Sequence, residues 1–265
     1  MGGRTIRVAL ACGRSAIRGS WRQVLALALV GGLLGGVALG AVAGARRTAT
    51  AYNRYLVSIN ASDVFVNVPG TLPGMAATRP VMLISSLPGV VSHAAYIGLN
   101  GQPVVHGKVD DSFLTNSVNG SLDGEYFSQD RATVLAGRMP SPGSTTAVVL
   151  TPGIAKTFGT GVGGTVSYLF RPLDAQGQPA GKPFTQSYRV AAIAEVPPAL
   201  VDESDQAEGS ILPPGATRQL LPEYFYAWIG LRLARGTAGI GELQGQLSAL
   251  AAGLQRQEQQ ATHRT

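Results

Sequence analysis

The run Val24–Ala45, VLALALVGGLLGGVALGAVAGA, carries no charge and no strongly polar side chain, and it restricts the fold more than any other segment. Lipid offers no partner to backbone N–H and C=O groups, so such a segment must close its hydrogen bonds within itself, as a helix. At ~1.5 Å per residue it covers about 30 Å, the thickness of a bilayer's hydrocarbon core. The competing reading is a cleaved signal peptide, because Ala41-Val42-Ala43 has the small-x-small form of a cleavage site. Signal-peptide cores run about 7–15 apolar residues, and this one is longer. A retained transmembrane helix over 24–45 is expected, behind a basic N-terminus over 1–23.

Charge gives this helix a direction. Arg4, Arg7, Arg14, Arg18 and Arg22 precede the apolar run, while Arg46, Arg47 and Arg54 follow it. Arg14, Arg18 and Arg22 stand nearest the span on the more basic side and are read as its topology determinants. The N-terminus is then cytoplasmic, and the remaining mass lies outside the cell (plasma) membrane. The same arginines account for much of the net charge of +6, so little is left for a basic face that would bind nucleic acid. Lysine occurs only at Lys108, Lys156 and Lys182, a bias that with abundant Ala and Gly fits a GC-rich bacterial genome. Cys12 is the only cysteine, which excludes an internal disulfide and a cysteine-based zinc cluster; it reads as a cytoplasmic thiol.

Gly32, Gly36, Gly40 and Gly44 recur every four residues and share one helix face. One reading is a ridge that lets another membrane helix approach closely. The other is the chance spacing of a Gly-rich composition.

Beyond a connector at 46–62, which continues the helix to Ile59, short β-type segments alternate with Gly/Pro turns and a few helices. Strands are expected at Asp63–Val68, Val90–Ile97, Gln102–His106, Thr133–Leu135, Ala147–Leu150, Thr165–Phe170, Tyr188–Val196 and Trp228–Leu233. Short helices are expected at Val81–Leu87 and at Pro152–Phe158, where proline suits the first turn. Asp174–Pro183 reads as a hairpin loop and Pro197–Gly215 as a mobile surface loop. Ile240, Leu243, Leu247, Leu250 and Leu254 repeat at helical steps, and the polar tail 256–265 reads as frayed. Strands in runs make this an α+β extracytoplasmic domain over 63–255.

No catalytic constellation assembles. His93, His106 and His263 are the only histidines, and none stands at metal-ligand spacing from another. His106 and Asp110 with a serine lack a Gly-x-Ser-x-Gly elbow, so the chain is read as no enzyme. Asp110-Asp111 and Asp202-Glu203 with Asp205 read as solvated acidic loops. No phosphate-binding loop is present, and nucleic-acid motifs are absent. Asn60-Ala61-Ser62 and Asn119-Gly120-Ser121 fit the glycosylation triplet, without meaning in a bacterial chain.

Two stretches resemble a known family. Trp21–Val66, with Gly44-Ala45-Arg46-Arg47-Thr48, Tyr52 and Ser62-Asp63-Val64, resembles the first membrane helix and its exit in FtsX-like permeases of ABC transporters, the large actinobacterial ones in particular. Leu135–Tyr168, with Gly137-Arg138-Met139-Pro140 and Gly161-Val162-Gly163-Gly164-Thr165-Val166, resembles their MacB-type periplasmic core domain. Tyr188–Ile193 stands where that pattern has a Val-x-Gly-Ile strand. The sequence departs from the pattern at Thr146-Ala147, where an acid is usual, and at Gly164, where Asp is usual.

The resemblance implies a permease component whose outer domain couples ATP-driven motion to export or envelope processes. It implies no cofactor in this chain, ATP being bound by a separate ABC-type ATPase subunit, and other permease helices or a second permease copy as further partners. Family members continue with more spans, so the resemblance implies a fragment or a stand-alone single-span relative. The alternative function is a single-span anchored binding or scaffold domain without transport activity.

Overall fold

The computed structural model describes residues 2–69, 78–105, 107–110, 118–172, 181–197, 209–220 and 224–262, with side chains left undescribed at 2–20, 23–24, 69, 224–226, 257–258 and 260–262. It is an α+β molecule with one N-terminal apolar helix and a sheet domain. The chain divides into two compact units, Met1–Leu56 and Val57–Thr265.

The first unit is helix. Helix α1 runs Gly2–Ile59, so the basic N-terminus is helical as well. Within it Leu25–Ile59 is long and apolar enough to cross a membrane. Leu27, Leu33, Leu34 and Leu39 stand exposed along it, which costs free energy in water and none in lipid. The chain thus carries a helix consistent with membrane anchoring.

The second unit is built on a mixed sheet. Its strands are β1 (Val64–Pro69), β2 (Val90–Leu99), β3 (Gly101–Val105), β4 (Lys108–Val109), β5 (Val118–Ser121), β6 (Thr133–Gly137), β7 (Ala147–Leu150), β8 (Thr165–Phe170), β9 (Phe184–Glu195), β10 (Ser210–Leu212) and β11 (Tyr224–Leu233). They are ordered β1-β11-β2-β5-β10-β7-β9-β8-β3-β4, with β6 pairing the far end of β9. The pairs β5–β10 and β7–β9 are parallel, and all other pairs are antiparallel.

Alternation sorts the side chains between two cores. Ala95, Ile97 and Leu99 of β2 join Val148, Leu150, Tyr168, Phe170, Leu212, Ile229 and Leu231 on one face. Helices α2 (Thr78–Ser85), α3 (Pro152–Phe158), α4 (Pro214–Gln219) and α5 (Ile240–Thr262) add Val81, Ile84, Ile154, Ala216 and Leu243 to that core. Of the expected α5 stripe, Ile240, Leu243, Leu247 and Leu250 pack here. The opposite face carries a smaller core of Tyr96, Tyr126, Val149, Ala192, Ala194 and Ile211.

Several expectations are corrected. The stretch Pro197–Gly215 is not one surface loop: Ser210–Leu212 is β10, buried between β5 and β7, and α4 begins at Pro214. Three residues between polar and proline-rich flanks show no period, so only pairing partners remote in sequence make this segment a strand. Val118–Ser121 is likewise a central strand, and the triplet Asn119-Gly120-Ser121 lies within it. Strand β9 begins at Phe184, and α5 continues through the polar tail to Thr262. The rest of the Asp174–Pro183 loop up to 180, and residues 198–208, lie outside the described residues.

The family-like motif Gly137-Arg138-Met139-Pro140 has a local physical reason. Gly137 has φ +77°, and a Cβ there would lie 2.3 Å from the Ala191 carbonyl oxygen of β9. The chain can leave β6 beside β9 only without a side chain at that point.

If β10 is a core strand, truncating it must cost as core truncations do. Leu212→Ala is expected to lower the unfolding free energy by about 2–5 kcal/mol, against about 0.5 kcal/mol or less for Leu135→Ala on exposed β6. Urea unfolding of the detergent-solubilised chain, followed by Trp fluorescence, measures both; equal small losses would sink this placement of β10.

Candidate functional site: a buried acidic latch at the end of α1

A helix ends with carbonyls that lack intrahelical donors, and cations in the last turn commonly serve them. The last turn of α1 contains no basic residue. The donors come instead from a loop at 122–132, between β5 and β6. The Arg131 N–H donates to the Ile59 carbonyl at 2.9 Å, and the Arg131 guanidinium donates to the Ser58 carbonyl. Asn60 then turns the chain in the left-handed region, φ +58°, the role asparagine takes after helix ends. Its amide donates to the Ser128 carbonyl at 3.0 Å, and its Oδ1 accepts from Arg232 of β11 at 2.6 Å. All of these groups lie inside the second unit.

Asp130 forms the centre of the latch. Its Oδ1 accepts the Ser62 N–H at 2.9 Å, and its Oδ2 accepts the Ser62 hydroxyl. Gln129 beside it is 2% exposed and spans three elements. Its Nε2 donates to Ser62 Oγ at 2.8 Å and to the Gly230 carbonyl at 3.0 Å, while its Oε1 accepts from Ser92 of β2 at 2.6 Å. Gly230 permits this approach: a Cβ there would sit 2.3 Å from Ser62 Oγ and 2.8 Å from the Phe65 ring. Asp63 closes the far side, its Oδ2 accepting the Leu233 N–H at 2.8 Å.

Charge and strain are concentrated in this loop. Asp123 Oδ1 accepts the Ala95 N–H at 2.7 Å, and its Oδ2 lies 3.2 Å from His93 Nε2. Burial raises the Asp123 carboxyl, and the Ala95 N–H and His93 hold it back. Burial also raises Asp130, against the Ser62 hydrogen bonds and the Arg232 charge. Glu125 is fully buried, and neither carboxylate oxygen has a hydrogen-bond partner. Burial pushes it well above the usual carboxylate range, and the charges of Asp130 and Asp123 push it further. Among the described residues, the non-glycines at positive φ are Asn60, Tyr126 and Asp130, all in this latch. No group of three or more metal-ligating side chains is assembled among the described residues.

The residues singled out from sequence are placed differently. Gly32, Gly36, Gly40 and Gly44 lie along α1 with nothing within 4 Å of a would-be Cβ. The Arg22 guanidinium lies 5.7 Å from the centre of the Trp21 ring. Arg14 and Arg18 lie within α1, in the part whose side chains are not described. His93 meets Asp123, whereas His106, His263, Asp111, Asp202, Glu203 and Asp205 lie outside the described residues. Sequence reasoning missed Asp123, Glu125, Gln129 and Asp130. The available signal was the acidic run SLDGEYFSQDRA, too short and too polar to show a period.

No family model and no curated protein matches the chain. Solved structures do. The periplasmic region of MacB from Actinobacillus actinomycetemcomitans is similar at TM-score 0.43 and 15% identity, over 74% of this chain and 86% of that one. The extracellular domain of the ABC-type transporter YknZ from Gram-positive bacteria is similar at TM-score 0.41 and 14% identity, over 68% of this chain and 88% of that one.

The latch predicts coupled substitutions. Gly230→Ala is expected to cost about 1–3 kcal/mol through overpacking against Ser62. Ser62→Ala removes the clashing hydroxyl, so the double variant should be more stable than the two single losses added together. Strict additivity in a double-mutant cycle, read by urea unfolding, would show that the close approach at Gly230 carries no energy.

Proposed function

We propose that the chain is a permease component of an ABC-type transporter, of the FtsX-like kind. In this reading α1 anchors it in the cell membrane with the N-terminus cytoplasmic and the α+β domain extracytoplasmic. The chain itself catalyses nothing. ATP is bound and hydrolysed by a separate subunit, and the resulting motion reaches the outer domain through α1.

The observation that carries the reading is the latch. A helix apolar enough to cross a membrane ends at Ile59, and Ser58, Ile59 and Asn60 are held by donors from Asp130, Arg131 and Arg232 and by the Ser128 carbonyl, which accepts from Asn60. These bonds lie within the second unit and tie residues 58–60 to the sheet through backbone carbonyls and side chains, which suits the passing of a pull or twist. The sequence resemblance at Gly44–Thr48, Tyr52 and Ser62-Asp63-Val64 supports the same reading, because those residues bracket the junction. The glycine face at Gly32, Gly36, Gly40 and Gly44 gives sibling permease helices, or a second copy, a surface on which to pack.

Affinity-tagged chain purified from its native membranes should bring with it an ATP-binding subunit, detected as ATPase activity in the eluate. Gly36→Leu with Gly40→Leu is expected to lower that recovery about tenfold, equivalent to ~1.4 kcal/mol of association. Full recovery with the double leucine would remove the glycine face from the proposal. Absence of any ATPase from the wild-type eluate would favour the anchored scaffold instead.

A further inference from the structure

We infer that the 122–132 loop is a proton-operated latch: Glu125 holds a proton while the loop grips the end of α1, and loss of that proton releases it. The inference rests on the latch geometry and stands whether or not the chain works with an ATPase.

Glu125 has no exposure, and both its oxygens lack partners. A buried carboxylate without hydrogen bonds or a counter-charge is far costlier than a buried neutral acid. The groups around it make the anion still less favourable. On its own loop it faces Asp123 and Asp130, both acidic. From the neighbouring elements, His93 of β2 engages Asp123, Arg232 of β11 acts on Asp130, and Asp63 ahead of β1 adds a further negative charge near Asp130. Arg131, the loop's own cation, is directed to the Ser58 carbonyl. Among the described residues, the charges that act on Glu125 are those of Asp130 and Asp123, both negative.

The position of Glu125 converts its charge into a mechanical effect. The Tyr126 N–H donates to the Gln129 carbonyl at 3.0 Å, closing a tight turn directly after it. That turn sets Gln129 and Asp130, the residues that hold Ser62 and Gly230. Tyr126 and Asp130 both stand at positive φ, so relaxing the turn relieves backbone strain. An anion at Glu125 finds hydration only if the turn opens, and opening it removes the donors to Ser58, Ile59 and Asn60.

The sign follows from linkage. An acid whose folded-state pKa lies above its unfolded value, roughly 4–5, leaves the folded state binding more protons than the unfolded one. Its support for the closed latch is complete below that unfolded value and is lost as pH rises through the folded-state value. Asp123 and Asp130 are raised too and act in the same direction.

The test is hydrogen–deuterium exchange on the full chain in detergent at about pH 5 and about pH 9, corrected for intrinsic exchange. Wild type is expected to lose at least about tenfold protection at 122–132 and at Ser62-Asp63 on going to the higher pH, while α3 and β9 keep theirs. Glu125→Gln should lose much less protection than wild type over the same pH step, the remainder coming from Asp123 and Asp130. Infrared difference spectroscopy of wild type supplies a readout that needs no variant: a protonated-carboxyl band should persist near neutral pH and vanish as the loop opens. A pH-independent loop, the same loss in Glu125→Gln, or no such band near neutral pH would each overturn the inference.

Discussion

The carbonyls of Ser58 and Ile59 need donors that α1 does not contain, and the arrangement of the second unit around its exit follows from that need. Arg131 supplies them, which places residues 122–132 over the end of the helix. To reach it the loop adopts left-handed backbone at Tyr126 and Asp130, at about 1–3 kcal/mol for each strained residue. That strain is offset by the bonds that Ser62 donates to the Asp130 carboxyl, together with the three-way bridge of Gln129. Those bonds form only because Gly230 leaves room for Ser62 against β11. A glycine on a strand, a serine before β1 and an arginine in a loop thus depend on one another although they are far apart in sequence.

The three acids of the loop differ in how fully their charge is met. Asp130 has two hydrogen bonds from Ser62 and a favourable charge from Arg232. Asp123 has a backbone donor and His93, and it is partly open to solvent. Glu125 has neither donor nor solvent. Burial raises all three and most of all Glu125, which the neighbouring acids raise further, while hydrogen bonds and opposite charges hold Asp123 and Asp130 back. A carboxylate that relies on protonation alone is the one most sensitive to its surroundings.

Legibility of this chain from sequence followed the range of the forces involved. The apolar run, the 240–250 helical stripe and the Pro152–Phe158 helix declare themselves through local periodicity or local capping, and each is where the sequence puts it. Strands β7 and β8 are β-branched or aromatic runs bounded by turn residues and are equally plain. Strands β5 and β10 are not, because VNGS and SIL become strands through pairing with each other and with β2 and β7. The latch was least legible of all. Its members come from Asn60, Ser62, Ser92, residues 123–131 and Gly230, and single-sequence patterns hold no information about which distant polar residues will meet.

Two local choices in this loop oppose stability. An apolar residue in place of Glu125 would avoid the desolvation of a carboxyl, and a glycine in place of Tyr126 would relax the left-handed backbone. Local sequence choices that oppose stability persist most readily where an element works between two states, since strain and uncompensated burial bring those states closer in free energy. Here both unfavourable choices fall in one turn of a few residues, beside the residues that hold the end of the apolar helix. In the large core on the opposite face of the sheet the buried hydroxyls of Tyr168 and Ser210 satisfy one another.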